Sequence, residues 1–205
     1  MHHWISQNSD VLQVVLNALM VVIWVIYLQI FLVSYRRQRR ASILINLGAG
    51  VGRQSRCLVS NLSLEPVYLL DVLVELTTED GAHDADITER AETSGAQLDS
   101  PSAATNQGPL KSGEFIDIGS IDDLLERASP QLKGVDLEGM TSFAITVVVH
   151  TASTPDIVGA RRCFQVCQKG GETTIVPMQI AATQIRSWWR RRQLQRKMER
   201  RLSGL

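Results

Sequence analysis

The feature that most constrains this chain is an uncharged, mainly apolar run of 25 residues at positions 11–35. About twenty apolar residues cross the hydrocarbon core of a bilayer, so the run predicts one transmembrane helix with some tilt. A cleaved signal peptide would need a basic segment, a shorter apolar core and a small-residue cleavage site, none of which is present. We therefore expect an uncleaved membrane anchor.

Basic residues lie on only one side of this run. Four arginines fall within a juxtamembrane segment at 36–40, and no lysine or arginine precedes the run. By the positive-inside rule, the C-terminal side is cytoplasmic and residues 1–10 form a short extracytoplasmic N-terminus. The sequence thus predicts a single-pass protein of the cell (inner) membrane whose bulk lies in the cytoplasm.

One face of the predicted anchor carries amide and aromatic side chains. Amides in hydrocarbon gain from hydrogen bonds to another helix, at about 0.6–2 kcal/mol each. The alternative is that the two amides, which lie near the outer end, only reach toward the headgroups. We favour contact with another transmembrane protein or a second copy, through Gln13, Asn17, Met20, Trp24, Tyr27 and Phe31.

Charge divides the chain into three parts. Residues 1–40 have a net charge of +3, residues 41–182 of −10 and residues 183–205 of +7, although the whole chain sums to zero. The acidic middle should repel anionic partners, and the basic ends should attract them. The three cysteines are too few for a disulfide framework and fit a reducing compartment.

Residues 41–182 have the pattern of an all-β domain. Short apolar runs are separated by Gly, Asn, Ser and Pro, and two of the runs alternate with a period of two. The expected architecture is an immunoglobulin-like antiparallel sandwich in the cytoplasm. The predicted strands lie at 42–47, 56–64, 67–76, 143–150, 157–166 and 173–178.

The two alternating runs also predict which side chains share a face. In 67–76 the set is Leu70, Val72, Val74 and Leu76, and in 143–150 it is Phe143, Ile145, Val147 and Val149.

Two further segments are predicted within the β domain. Ser120 and Asp123 have the spacing of a capping box, which predicts a short helix through Ala128 that stops before Pro130. Residues 91–113 are small and polar and predict a long mobile loop.

Several motifs lack the spacing that their chemistry requires. Arg53 stands where a dinucleotide fingerprint needs its third glycine, so the glycines at 48–52 predict a turn. Cys163 and Cys167 on a strand would lie about 13 Å apart, too far for one zinc ion. The acidic residues around His83 lack calcium-loop spacing and predict a solvated turn. The sequence predicts no catalytic residue, cofactor or metal site.

Residues 183–205 predict a basic, tryptophan-containing C-terminal helix. Positions 183–202 contain neither Gly nor Pro. Two adjacent tryptophans are costly to leave in water, which argues against a passive tail. We favour an anionic lipid surface, then an acidic protein partner, and consider nucleic acid the weaker candidate. The predicted contact residues are Trp188, Trp189, Arg190, Arg191, Arg192 and Arg196.

Together these features predict a non-catalytic, membrane-anchored accessory or scaffold protein. The alternative is a membrane-tethered enzyme or small-ligand-binding domain whose site is formed only by the fold. A deep pocket with converging titratable groups would favour that alternative.

Overall fold

The computed structural model describes residues 9–38, 41–78, 81–87, 106–132, 139–152, 154–169 and 172–202. It divides into two compact units, Met1–Arg40 and Ala41–Leu205.

The first unit is one long helix, α1, which spans Ser9–Gln38. Its 30 residues correspond to a length of about 45 Å. Its segment Asp10–Arg36 is long and apolar enough to cross a membrane. The side chains described along this segment are exposed.

The second unit contains ten described strands, all paired antiparallel. They are β1 (Ile43–Gly48), β2 (Arg56–Asn61), β3 (Val67–Thr78), β4 (Gly81–Asp86), β5 (Gly108–Leu110), β6 (Phe115–Ser120), β7 (Ser142–Thr151), β8 (Thr154–Lys169), β9 (Glu172–Pro177) and β10 (Thr183–Ile185). Three of them form a sheet in the order β1-β2-β6. The other seven form a sheet in the order β10-β8-β7-β3-β4, with β5 added to β3 and β9 to β8.

The described residues of this unit also form two α-helices. α2 spans Ile121–Ala128 and α3 spans Trp188–Leu202. The capping box predicted at the start of α2 is confirmed: Asp123 N donates to Ser120 Oγ at 3.1 Å, and Ser120 N donates to Asp123 Oδ2 at 2.9 Å. These bonds to Ser120 hold the pKa of Asp123 below its usual range. The cap therefore fixes where α2 leaves β6.

One hydrophobic core takes side chains from both sheets. Ile45 of β1 and Val59 of β2 belong to the same buried cluster as Phe143 of β7 and Phe164 of β8. The two phenylalanine rings stack with centroids 5.1 Å apart. The predicted alternation in β7 is confirmed, because its four named residues all lie in this core.

The prediction of which β3 side chains share the core face is wrong at Leu70. The register with β7 shifts between Leu69 and Asp71, so Leu70 is an extra residue in the ladder. Such a bulge reverses the facing of the residues on either side of it. Val72 joins the main core, whereas Leu70 packs with a second cluster on the opposite face of the sheet.

Two further sequence expectations need correction in this unit. The acidic segment around His83 is not a turn but strand β4, held by its ladder to β3. The predicted loop at 91–113 is wrong at its end, because β5 pairs with β3 there and Leu110 is buried. Residues 91–105 of that loop lie outside the described residues.

The glycines at 48–52 form a turn, as predicted, followed by a short 3₁₀ helix at Gly52–Gln54. Gly52 has φ +58°, a conformation that side-chain-bearing residues rarely adopt. A Cβ atom at this position would also overlap the carbonyl oxygen of Thr173. The turn therefore requires glycine so that β9 can pass close to it.

Side chains cover the outer edge of β1. The amide of Gln184 in β10 accepts from Ile43 N at 3.1 Å and donates to Ile43 O at 2.6 Å. Arg162 of β8 donates to Ile45 O and, at 3.0 Å, to Asn46 Oδ1. The seven-stranded sheet is thus hydrogen-bonded to the free side of the three-stranded sheet.

Candidate interaction surfaces

The C-terminal helix begins later than the sequence predicts. Residues 183–185 form β10, which pairs with β8 through Gln184 opposite Ala160 and Ile185 opposite Gly159. The helix expected from residue 183 is therefore wrong over residues 183–187. The ladder to β8 pairs the backbone of β10, and the Gln184 side chain bonds Ile43 of β1; together these contacts outweigh a weak helix preference.

α3 lies against the outer face of the seven-stranded sheet. Leu194 is buried, and Met198 packs with it in a cluster that includes Leu73 and Val148. A Cβ atom on Gly159 would lie 2.9 Å from Leu194 Cδ2, so glycine at this strand position makes room for the leucine. These few apolar contacts define which side of α3 faces the sheet.

An ion pair adds a second attachment for α3. Lys197 Nζ lies 2.6 Å from Asp84 Oδ2 on β4, and both side chains are about one-third to two-fifths exposed. Pairs this exposed contribute roughly 0–1 kcal/mol. The pair therefore orients the helix more than it stabilises the unit.

The orientation of α3 leaves its tryptophans outside. Trp188 is 54% exposed and Trp189 is 75% exposed. Their rings meet edge-to-face with centroids 4.6 Å apart, and the Arg192 guanidinium lies 5.1 Å from the Trp188 ring centroid. At about 100° per residue, Arg192 and Arg196 project within about 20° of the direction opposite Leu194. Two indoles and two cations thus share the outward face.

The structure separates the six predicted contact residues of this helix. Five of the six are exposed, namely Trp188, Trp189, Arg190, Arg192 and Arg196. At about 100° per residue, Arg190 projects within about 40° of Leu194 and lines a groove between α3 and the sheet. Arg191 is half-buried, and it lines a second, small groove beside Ile157 together with Trp188, Arg192 and Arg196. The sequence could not make this division, because it depends on the buried position of Leu194.

The groove beside Arg190 has a volume of about 550 Å³. Its walls are mainly polar and carry two carboxylates, Glu75 and Asp84. Arg161 Nη2 lies 2.8 Å from Glu75 Oε1, and Asp84 is paired with Lys197. Its acidic groups are therefore neutralised by neighbouring cations. Sequence reasoning missed this groove because its lining comes from β3, β4, β7, β8, β10 and α3.

The cysteines are free thiols on two strands. Cys57 is fully buried in β2, and burial raises the pKa of its thiol to about 12. It stays protonated at neutral pH and is a poor nucleophile. Cys163 and Cys167 of β8 are half-buried. Among the described residues, no three His, Cys, Asp or Glu side chains are grouped as a metal site.

The six predicted anchor residues all lie on α1. At about 100° per residue they fall within an arc of about 80°. The stacked rings of Phe31 and Tyr35, with centroids 6.1 Å apart, extend the same face toward the end of the helix. Contact of this face with another helix stays a prediction.

We expect Asn17→Leu combined with Gln13→Leu to weaken association of this protein in membranes while leaving insertion unchanged. Leucine partitions into hydrocarbon at least as well as an amide, and two interhelical hydrogen bonds at roughly 0.6–2 kcal/mol each would be lost. Energy transfer between labelled copies in vesicles measures self-association, and crosslinking in native membranes measures contact with another protein.

Val14→Leu combined with Val22→Leu is the matched control, because neither position belongs to the six predicted contact residues. Unchanged association of the double amide variant in both assays would reduce Gln13 and Asn17 to interfacial residues.

The chain matches no protein-family model and no curated protein.

Proposed function

We propose that this chain is a non-catalytic accessory or scaffold protein of the cell (inner) membrane. Its N-terminus lies outside, α1 spans the bilayer, and the second unit is an immunoglobulin-like β-sandwich in the cytoplasm. α3 is its contact element and binds an anionic lipid surface, with an acidic protein surface as the alternative partner.

The observation that carries this proposal is the outward exposure of Trp188 and Trp189. α3 has an apolar attachment through Leu194, and each tryptophan still leaves more than half of its surface exposed. Indole rings are found at membrane interfaces because one part is apolar and the other can donate a hydrogen bond. Arg192 and Arg196 beside them supply the charge that anionic headgroups attract.

A short chain segment and a pair of hydrogen bonds connect α3 to the anchor helix α1. Gln38 ends α1 and Ile43 begins β1, and a chain of five residue steps covers at most about 18 Å. Ile43 is hydrogen-bonded to Gln184, which precedes Trp188 by four positions. The lipid surface is thus at high effective concentration for α3, so weak contacts suffice.

The sandwich assignment is supported by the shared core and by the antiparallel pairing of every described strand. Two sheets that bury a common core are the defining arrangement of sandwich domains. The acidic middle of the chain, with its net charge of −10, disfavours a nucleic-acid ligand, whose phosphates it would repel.

The 550 Å³ groove supports the second candidate function, binding of a small polar ligand. The groove brings titratable side chains together, as a membrane-tethered enzyme or small-ligand-binding domain would require. We rank it second because Glu75 and Asp84 are each held in an ion pair, which leaves neither of them placed as a general base.

We expect opposite labelling of cysteines placed at Gln7 and at Val51 in intact cells. A membrane-impermeant maleimide should label Gln7→Cys from outside and should label Val51→Cys only after the membrane is permeabilised. Val51 is 78% exposed, so access is not limited by burial. Cys163→Ser with Cys167→Ser removes the half-buried native thiols, and buried Cys57 stays in place. Labelling of Val51→Cys in intact cells would reverse the proposed topology.

A further inference from the structure

Three large apolar side chains are exposed together at one end of the second unit. Leu62 is 58% exposed, Leu64 is 68% exposed and Phe115 is 62% exposed. The two leucines lie between β2 and β3, and Phe115 is the first residue of β6, opposite Ser60. We call these three residues the apolar tip.

Hydrogen bonds hold the tip in a defined shape. Asn61 is fully buried, and its Nδ2 donates to Glu65 O at 2.9 Å and to Leu110 O at 3.0 Å. Ser112 Oγ donates to Ser63 O at 2.6 Å, and Asn61 N donates to Glu114 O at 2.9 Å. The loop and the neighbouring turn are thus joined, and their leucines and phenylalanine remain exposed despite this order.

The tip lies where the chain enters the second unit. Leu62 N donates to Ser42 O at 2.8 Å. Ser42 follows Gln38, the last residue of α1, by four positions. Four residue steps of extended chain span at most about 14 Å. From Ile43, β1 runs toward Gly48 over roughly 17 Å, at 3.3 Å per residue. The opposite end of the unit, at Val51, is therefore the end farther from this entry point.

The strand registers place the start of α3 at the same end. Ile43 pairs with Asn61, and Val67 pairs with both Leu110 and Thr151. Thr151 closes the β7–β8 turn, and Ile157, which follows that turn, lines a small groove with Trp188. The apolar tip and the tryptophans are thus two separate apolar surfaces at the same end of the second unit.

We propose that the apolar tip inserts into the interfacial layer of the bilayer that holds α1, as a lipid contact distinct from α3. The proposal rests on the proposed anchoring by α1. Lys111 and Glu114 beside the tip are exposed and opposite in charge, and Glu65 next to Leu64 adds a half-buried acidic side chain. The tip therefore has no excess of cations for anionic headgroups, so this contact is apolar rather than electrostatic. It therefore forms on zwitterionic lipid and persists at high salt, unlike a contact made by arginines.

The test uses the full chain in nanodiscs of zwitterionic lipid, with an environment-sensitive fluorophore on one introduced cysteine. Leu64→Cys and Phe115→Cys report the tip, in the Cys163→Ser and Cys167→Ser background. Val51→Cys is the control at the opposite end, and Ile180→Cys is a control at a site that is 99% exposed. A nitroxide on the lipid chains near the headgroups should quench the tip labels and leave both control labels unquenched.

Aqueous iodide supplies the reciprocal measurement, because it quenches labels that are exposed to water. We expect quenching by iodide to be several-fold weaker at the tip labels than at the Val51→Cys label. Iodide quenching of the tip labels as strong as at Val51 would overturn the proposal. Protection from iodide without quenching by the lipid nitroxide would also overturn it, and would assign the tip to a protein partner or a second copy.

A label at Val21 separates failure of this inference from failure of the anchor. Val21 lies in the middle of the predicted span, so a chain nitroxide placed deep in the bilayer should quench Val21→Cys. Quenching at Val21 with none at the tip refutes the tip contact alone. Absence of quenching at Val21 refutes the anchoring and the inference that depends on it.

Discussion

Replacing both Trp188 and Trp189 with alanine is expected to release α3 from an anionic membrane surface at every salt concentration. Each indole buries on the order of 150–250 Å² when it is covered, at about 25 cal/mol per Å² of apolar area. Loss of only about 3 kcal/mol of this term would lower the equilibrium constant for binding about 100-fold. A fluorophore on Ser187→Cys, quenched by nitroxide lipid in vesicles that contain the full chain, measures the effect.

The arginines should behave differently from the tryptophans. Arg192→Gln with Arg196→Gln is expected to weaken binding mainly at low salt, because each cation near an anionic leaflet contributes about 1 kcal/mol. Salt screens this term over a Debye length of about 8–10 Å. Arg190→Gln is the matched control, since Arg190 projects toward the sheet side of α3, within about 40° of Leu194, and lines the groove there.

Equal losses from Arg190→Gln and from the double variant would show that net charge, not the outward face, determines binding. Vesicle quenching that is indifferent to the tryptophans would exclude them as the lipid contact and would favour the acidic protein surface.

Arg162→Met should lower the free energy of unfolding of the second unit by about 3 kcal/mol or more. Arg162 is only 5% exposed, and its guanidinium donates to oxygens of Ile45 and Asn46 and, at 3.3 Å and 3.2 Å, to the carbonyls of Gln179 and Ile180. Hydrogen bonds to a charged group contribute about 1.5–3 kcal/mol each, and methionine would leave these acceptors without a donor. Urea denaturation in detergent micelles measures the loss.

Arg161→Met is the matched control for this prediction. Arg161 is the preceding residue of β8, its side chain is 41% exposed, and its partner Glu75 is 30% exposed. A surface pair of this kind contributes roughly 0–1 kcal/mol, so the same substitution should have a small effect. Similar midpoints for the two variants would show that Arg162 does not join the two sheets.

Hydrophobic periodicity predicted the parts of the fold in which burial follows the period of a strand. β7 is such a case, because its alternate residues fill the core. β4, with the sequence Gly-Ala-His-Asp-Ala-Asp, carries almost no apolar signal and becomes a strand only by pairing with β3. β10 was predicted as helix because its three residues are too few to show a period, and its conformation is determined by partners distant in sequence.

The sequence predicted which residue types the proposed contact segments carry, but not the direction in which each side chain projects. The concentration of tryptophan and arginine at 183–205 is visible in the sequence. The direction in which each α3 side chain projects depends on the packing of Leu194 against Gly159. These two residues are 35 positions apart in the sequence. The apolar tip was not predicted, because Leu62 and Leu64 have the composition of strand residues and were assigned to the end of a strand that in fact stops at Asn61.

The cover on the edge of β1 limits strand pairing between copies of this protein. A bare strand edge is a template on which another chain can add. At Ile43 the side-chain amide of Gln184 occupies both main-chain groups, as a neighbouring peptide would. A second copy would have to displace that amide before a ladder between molecules could begin there.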